Sequence, residues 1–407
     1  MTARRLRHAL NTLLVVAFAA TAMVAHAQKG DAVRPEVGKP LQDAQQLSRT
    51  GRHREALVKV NEADAVSGKT ANESLLIQRM RGSVATAAGD NDTALKAFEA
   101  VLGTGRVSGR DATQMVQAVA VAHYKNKDFA KAAQWTQRYF KEGGSDPAMR
   151  TVLLQSYFLG NDCNNVNKML GSAADADSSR RPSEEELQIL ANCYLRQRDT
   201  GGYVNAIEKL VIHYPKKEYW TDLLARVQKK PGFSDRLGVN VYRLRFATGN
   251  VSGANDYMEM AQLAMQAGVP SEAKVIIDKG YAAGVLGKGD QAERHKRLQN
   301  LVQKTLDESL AKRAQEEKDA LAAKDGNDLV KIGLNYVYEG KADKGIPLIE
   351  QGIKKGGLKR PDDAKLRLGE VQLYAGNKQR GVQALRDVKG NDGTADIARL
   401  WVLHART

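Results

Sequence analysis

The chain has 407 residues, 42% of them hydrophobic and 6% aromatic, with 9 prolines and a formal charge of +15. That is length for two or three globular domains or one long array of repeats, and enough apolar content for a core. Few aromatics and prolines in an alanine-rich background argue against a many-turned β sandwich and for helix.

Residues 1–27 stand apart. Arg4, Arg5 and Arg7 open the chain, Leu13 to Ala25 is apolar, and Ala25-His26-Ala27 places small residues where a signal peptidase reads. The pattern predicts a secretory signal peptide cleaved after Ala27 and a periplasmic or secreted protein. Retention as an uncleaved anchor is the alternative, although the run is shorter than the ~20 residues that span a bilayer. Cleavage would take three arginines and no acid from +15 and leave +12. No second apolar run of spanning length follows, so no membrane span is expected after cleavage. Residues 28–40, with Pro35, Gly38 and Pro40, read as a flexible leader.

From residue 41 the chain reads as helical hairpins. The pattern is plainest in Ala118 to Trp135, where two helical runs meet at Asn126-Lys127-Asp128 and small residues, Ala120 and Ala132, stand twelve apart. Earlier hairpins turn at Gly51 and Gly89, with pairs Ala44/Ala56 and Gly82/Ala94. The fourth, Ala148 to Leu170, turns at Asn161-Asp162 but carries Leu154 and Val166 at the crossing. The fifth follows Arg181-Pro-Ser-Glu-Glu-Glu186, a serine cap with acids suited to the positive helix end. Its pair is Ala191/Ala206, with Gly201-Gly202 lengthening the turn. Pro231-Gly232 breaks the next hairpin, which runs to about Thr248, and Asn255 to Gly280 turns at Gly268 between Ala261 and Ala273.

Residues 291–325 contain no glycine or proline, and Asp290 with Glu293 makes a plausible capping box. They read either as one helix about 50 Å long at 1.5 Å per residue, its second half standing partly clear, or as a fused hairpin turning near Asp307. Two regular hairpins close the chain, turning at Gly340 and Gly376 with pairs Gly333/Gly345 and Gly369/Gly381, before a terminal helix over Thr394 to Leu403. The turns recur every 34–38 residues, with double gaps from Arg198 to Gly268 and from Gly268 to Gly340, each expected to hold one weakly marked hairpin. Such a period marks a solenoid of helix pairs. The organisation is 41–288 as an N-terminal solenoid, 289–325 as long helix or fused hairpin, and 326–407 as C-terminal repeats with a terminal helix.

Lys125-Asn-Lys-Asp-Phe-Ala-Lys-Ala132 resembles the turn, aromatic and small positions of the tetratricopeptide repeat family, and Gly82, Gly89, Ala94 and Phe98 match the same places one unit earlier. The similarity covers roughly 41–285 and 325–390. The family's first-helix tryptophan is absent, so the repeats are divergent. The segment from Pro215 to Gly268 also resembles exported proteobacterial repeat proteins of unknown function. The resemblance implies an all-α, right-handed α-solenoid whose first helices line a concave partner face. Mapped onto this chain, that face holds Gln114, Gln117, Val121 and Tyr124 in the third hairpin, and Glu185, Gln188, Asn192 and Leu195 in the fifth. Polar residues at such places are also often only solvated.

In the same frame Cys163 opens the second helix of the fourth hairpin and Cys193 lies late in the first helix of the fifth. A disulfide between them would stabilise the array by roughly 3 kcal/mol; two buried small hydrophobes are the alternative. The histidines at 53, 123, 213, 295 and 404 show no metal-ligand spacing. No nucleophile elbow is present, and Gly103 to Gly109 and Gly284 to Gly289 lack phosphate-loop spacing. No cofactor, metal or enzymatic activity is expected. Basic clusters such as Lys354 to Arg360 lack interleaved aromatics, so nucleic acid is not an expected partner. The expected function is a periplasmic scaffold that binds an envelope protein or an extended peptide in its groove. The alternative is an envelope protein that binds a polyanion, lipopolysaccharide or another acidic glycan, through its basic surface.

Overall fold

The computed structural model describes residues 32–171 and 181–407, among which are 20 α-helices and no β-strand. The signal segment 1–27 lies outside the described residues. The chain forms two compact units, Met1–Gly171 and Ser172–Thr407. The division falls at 171/172 rather than at the expected 288/289.

Unit 1 is four antiparallel hairpins: α1 (Pro35–Arg49) with α2 (His53–Asp64), α3 (Ala71–Ala88) with α4 (Asn91–Gly103), α5 (Gly109–Lys125) with α6 (Phe129–Lys141), and α7 (Pro147–Leu159) with α8 (Cys163–Gly171). Their turns share one geometry. The residue at the turn is left-handed, with φ of 78° at Gly51, 76° at Gly89, 62° at Lys127 and 60° at Asn161. The next backbone N–H then reaches back five residues, as in Asp128 N to His123 O at 2.9 Å, which closes a Schellman motif. Asp90, Asp128 and Asp162 cap the second helices by accepting from the backbone N–H three residues on, at 3.1, 3.3 and 3.1 Å. The small pairs stand seven residues before and five after the left-handed residue, where the helices cross. A Cβ on Gly82 would come 2.5 Å from the Phe98 ring.

Residues 32–40 are not a leader. Pro35 starts α1 at a position where its missing N–H costs nothing. Arg34 anchors it: its backbone N–H and Nε donate to Glu73 Oε1 at 3.0 and 2.9 Å, and Nη2 donates to Oε2 at 2.9 Å. Arg34 and the backbone of Thr70 together hold the buried Glu73 carboxyl at about 2. Lone Pro and Gly residues suggested flexibility, but a partner 39 residues away decides the segment.

Unit 2 pairs α9 (Glu184–Arg196) with α10 (Thr200–His213), α11 (Lys217–Gln228) with α12 (Gly238–Ala247), α13 (Ala254–Gln266) with α14 (Pro270–Ala282), α16 (Asn327–Tyr338) with α17 (Ala342–Lys355), and α18 (Pro361–Tyr374) with α19 (Lys378–Arg386). α15 (Ala292–Ala322) and α20 (Thr394–His404) are unpaired additions. The same left-handed turns recur at Arg198, Gly268, Gly340 and Gly376. Ser183 and Glu186 complete a capping box at the start of α9.

Gly201 and Gly202 do not lengthen a turn; they lie in the first turn of α10, after the cap Asp199. A Cβ on Gly202 would come 2.3 Å from the Tyr194 ring, so this glycine makes the close crossing. The first double gap holds the hairpin α11/α12. The second holds only α15, one continuous helix of 31 residues, about 46 Å at 1.5 Å per residue. No fused hairpin forms near Asp307, because nothing between 291 and 322 offers a left-handed turn or interrupts the backbone ladder. Nor does the expected Asp290–Glu293 capping box form; Gln291 is the N-cap. The second half of α15 is docked. Ala320 packs with Leu329, Ile332, Tyr336 and Leu348, while buried Arg313 donates to Glu339 at 2.8 Å. Those contacts replace the large apolar residues missing there.

The chain end does more than cover the last hairpin. α20 packs on α18 and α19 and reaches α12. Ser234 N donates to Asp392 O at 2.9 Å, Lys230 pairs with Asp396 at 2.8 Å, and Arg236 pairs with Asp363 at 2.5 Å and with Asp392. Unit 2 is therefore closed on itself through contacts between residues 127–166 positions apart.

Candidate groove on the first helix of the α13/α14 hairpin

In each hairpin the first helix carries a side chain three residues before its small crossing position, and in three places it grips the next first helix. Arg79 of α3 donates to Asp111 of α5 at 2.5 Å, Gln117 of α5 to Asp146 at the cap of α7 at 2.8 Å, and Gln188 of α9 to Tyr219 Oη of α11 at 2.7 Å. Tyr124 Oη donates to Gln155 Oε1 of α7 at 2.7 Å. Gln117, Tyr124 and Gln188 thus lie on the first-helix row as mapped, with these polar atoms engaged inside the fold. Val121 and Tyr124 pack half-buried against Val116, Ala120 and Met149. Gln114 is half-buried, as is Glu185. Asn192 donates to its own helix at Gln188 O, 2.8 Å, and Leu195 is exposed. The α5 residues belong to unit 1 and the α9 residues to unit 2.

The same register on α13, counted from Ala261, gives Asn255, Met258 and Gln262. These three line a cavity of about 600 Å³ together with Glu259, Leu263, Gln266 and Arg294 at the start of α15. Among the described residues the side chains of Asn255, Gln262, Gln266 and Arg294 make no hydrogen bond or ion pair. Glu259 is fixed at one edge by Tyr242 Oη, which donates to Oε2 at 2.7 Å; burial and this carboxylate push the Tyr242 phenol up to about 12. Each amide offers both donor and acceptor, the complement of a peptide backbone, while Met258 and Leu263 supply an adaptable apolar floor. Sequence reading singled out α5 and α9 and passed over this helix, although Ala261 already marked its register.

A second cluster was invisible in the sequence. Arg243 of α12 grips Glu272 of α14 through Nε and Nη2, both at 2.7 Å. Arg367 of α18 reaches Glu272 at 3.3 Å and also pairs with Glu370. Glu370 Oε1 accepts from Asn240 at 3.2 Å and from the Trp401 indole of α20 at 2.9 Å. All four charges are buried, two of each sign. Burial pushes the Glu272 carboxyl up, but Arg243 and Arg367 override it and hold the group at about 2. With every carboxylate committed to an arginine, the cluster joins α12 and α14 to α18 and α20. Among the described residues no group of three His, Cys, Asp or Glu side chains could hold a metal, and no helix is long and apolar enough to cross a membrane.

Cys163 and Cys193 are both disulfide-bonded, and the sequence has no other cysteine.

Antiparallel helix pairs repeated with one turn geometry define the class: an all-α helical repeat protein. Residues 79–147 match the model of the tetratricopeptide repeat family, so that part of the chain is similar to tetratricopeptide repeats. No curated protein matches it. Among solved structures it is similar to the TPR2AB domain of yeast Sti1 in complex with pHSP90 (14% identity, 66% of this chain and 98% of that one, TM-score 0.33). It is also similar to yeast Tom70 (13%, 91% and 95%, TM-score 0.27) and to a tetratricopeptide repeat protein from Parabacteroides merdae (10%, 91% and 99%, TM-score 0.22).

Proposed function

We propose that this protein is an exported, periplasmic scaffold that holds an extended segment of a partner protein along α13. One observation carries the reading: Asn255, Gln262 and Gln266 line a 600 Å³ groove at first-helix positions with their hydrogen-bonding capacity unspent. In α5 and α9 the amides three residues before the crossing, Gln117 and Gln188, are spent on the neighbouring helix, and α13 carries the apolar Met258 at that position. Unspent amides can pair with a partner's backbone whatever its side chains, and Glu259 and Arg294 add one charge of each sign for selectivity.

The test is a photo-crosslinking residue at position 262 of the full chain, in intact cells, beside a control at 304 on the outer face of α15. A discrete adduct at 262, absent at 304 and lost when Asn255 and Gln266 become alanine, is the expected result. Equal labelling at both positions, or none at 262, refutes the groove. The placement rests on the Arg4 to Ala27 pattern and is separable: recovery of the full chain only from the cytosol would refute export and leave the groove standing.

A further inference from the structure

At one end of unit 2 three successive inter-repeat loops are pinned side by side. Gly326 N donates to Gly356 O at 2.9 Å, Asn327 Nδ2 to Gly357 O at 3.3 Å, and Lys359 N to Asn327 Oδ1 at 3.0 Å. Lys389 N donates to Asp362 Oδ1 at 3.3 Å and brings in the loop after α19. These contacts assemble Lys324, Lys354, Lys359, Arg360 and Lys389 along one edge, all exposed.

The charges on this edge are unequal in a specific way. The acids are mostly engaged: Asp325 accepts from Asn327 at 2.7 and 3.0 Å, Asp328 pairs with Lys331, Asp362 with Lys365, and Asp363 and Asp392 with Arg236, although Asp325 and Asp328 remain exposed. Only Asp387 is left over. Lys355 is likewise used, donating to Leu321 O at 2.8 Å to finish α15. The five remaining cations form no ion pair among the described residues. Lys354 lies in the last turn of α17 and the other four stand on the loops, which are stacked at the ordinary ~10 Å spacing of packed helices. The result is a row of positive charge rather than a pocket.

We propose that this edge docks a linear acidic polysaccharide, its carboxylates or sulfates meeting the row of cations. No aromatic side chain stands on the three loops to stack on a base. None of them presents an exposed aliphatic side chain to enter a bilayer, since Leu358 is half-buried and Val388 buried. A flexible polyanion asks only for spaced cations, with affinity carried by displaced counterions.

The test uses the full chain with polygalacturonate and heparin as probes, and with duplex DNA and phosphatidylglycerol vesicles as competitors. Replacing Lys354, Lys359 and Arg360 with glutamine should weaken polygalacturonate binding on the order of tenfold at roughly 50 mM salt. The double change of Lys324 and Lys389 to glutamine, on the two other loops, should weaken it in the same direction. Removing the same charge from Lys125, Lys141 and Lys168 in unit 1 should change binding less than about twofold. Circular dichroism of each variant confirms that the helices remain. Equal weakening by the unit 1 triple, no binding by the unaltered chain at that salt, or tighter binding to DNA or vesicles than to either polysaccharide would each overturn the proposal.

Discussion

Replacing Glu272 with glutamine tests what holds unit 2 closed. The side chain is 2% exposed and accepts two 2.7 Å bonds from Arg243 and one at 3.3 Å from Arg367. Glutamine keeps the shape and removes the charge, leaving two buried guanidiniums to share Glu370. Stripping one partner from a buried pair costs about 3–5 kcal/mol, because the remaining charge stays desolvated. At about 2–4 °C per kcal/mol for a domain of this size, the melting transition should fall by roughly 6–20 °C. Helicity at 222 nm and Trp401 fluorescence follow it together, since the indole donates to Glu370. The pH dependence has a defined sign. The carboxyl is held near 2 in the fold, against an ordinary value of 4.5. Its contribution is therefore complete above about 4.5 and is lost as pH falls towards 2, a component that Glu272→Gln should lack. Changing Arg243 and Glu272 together to methionine leaves Arg367 and Glu370 as a neutral pair and should recover most of the loss. A glutamine variant that melts within about 2 °C of the unaltered chain would refute the claim that this cluster carries the closure.

Two further outcomes test the hairpin geometry. Gly345→Ala should cost about 1–3 kcal/mol, measured by denaturant unfolding, because the new Cβ would lie 2.4 Å from Gly333 O and 2.9 Å from Val337 N, backbone atoms that move only if α16 and α17 separate. An unchanged midpoint would mean that the helices do not cross there. Lys127→Gly should stabilise unit 1 by about 1 kcal/mol, since a lysine at φ 62° pays the left-handed penalty that glycine escapes. Loss of stability on this change would refute the turn assignment.

Local chemistry made the repeats legible. Lys127, Asn161 and Arg198 were placed at turns although none is glycine, because each sits between helical runs with small residues nearby, and all three are left-handed. Wherever a feature depended on distant partners, the sequence could not speak. Arg34 finds Glu73 39 residues on, and Arg243, Glu272 and Arg367 converge from three hairpins. α15 was ambiguous for a related reason. Its second half docks through Ala320, Arg313 and Glu317, and a polar stripe of that kind looks solvated until Tyr336, Glu339 and Lys344 are seen facing it.

The register of α13 and the insertion of α15 both bear on where the groove falls, since α15 brings Arg294 to its edge. From α3 to α5, α5 to α7 and α9 to α11, each first helix meets its successor, and the side chain three residues before the crossing is drawn into that contact. After α13 the order is broken. α14 packs on both α15 and α16, and α13 shares a hydrophobic core with Leu298 and Val302 of α15. At the same register α13 carries Met258, and its amides lie towards a gap rather than a neighbour. With the apolar Met258 at the gripping position, the amides Asn255, Gln262 and Gln266 line the groove with no partner among the described residues, and a binding groove needs just such groups.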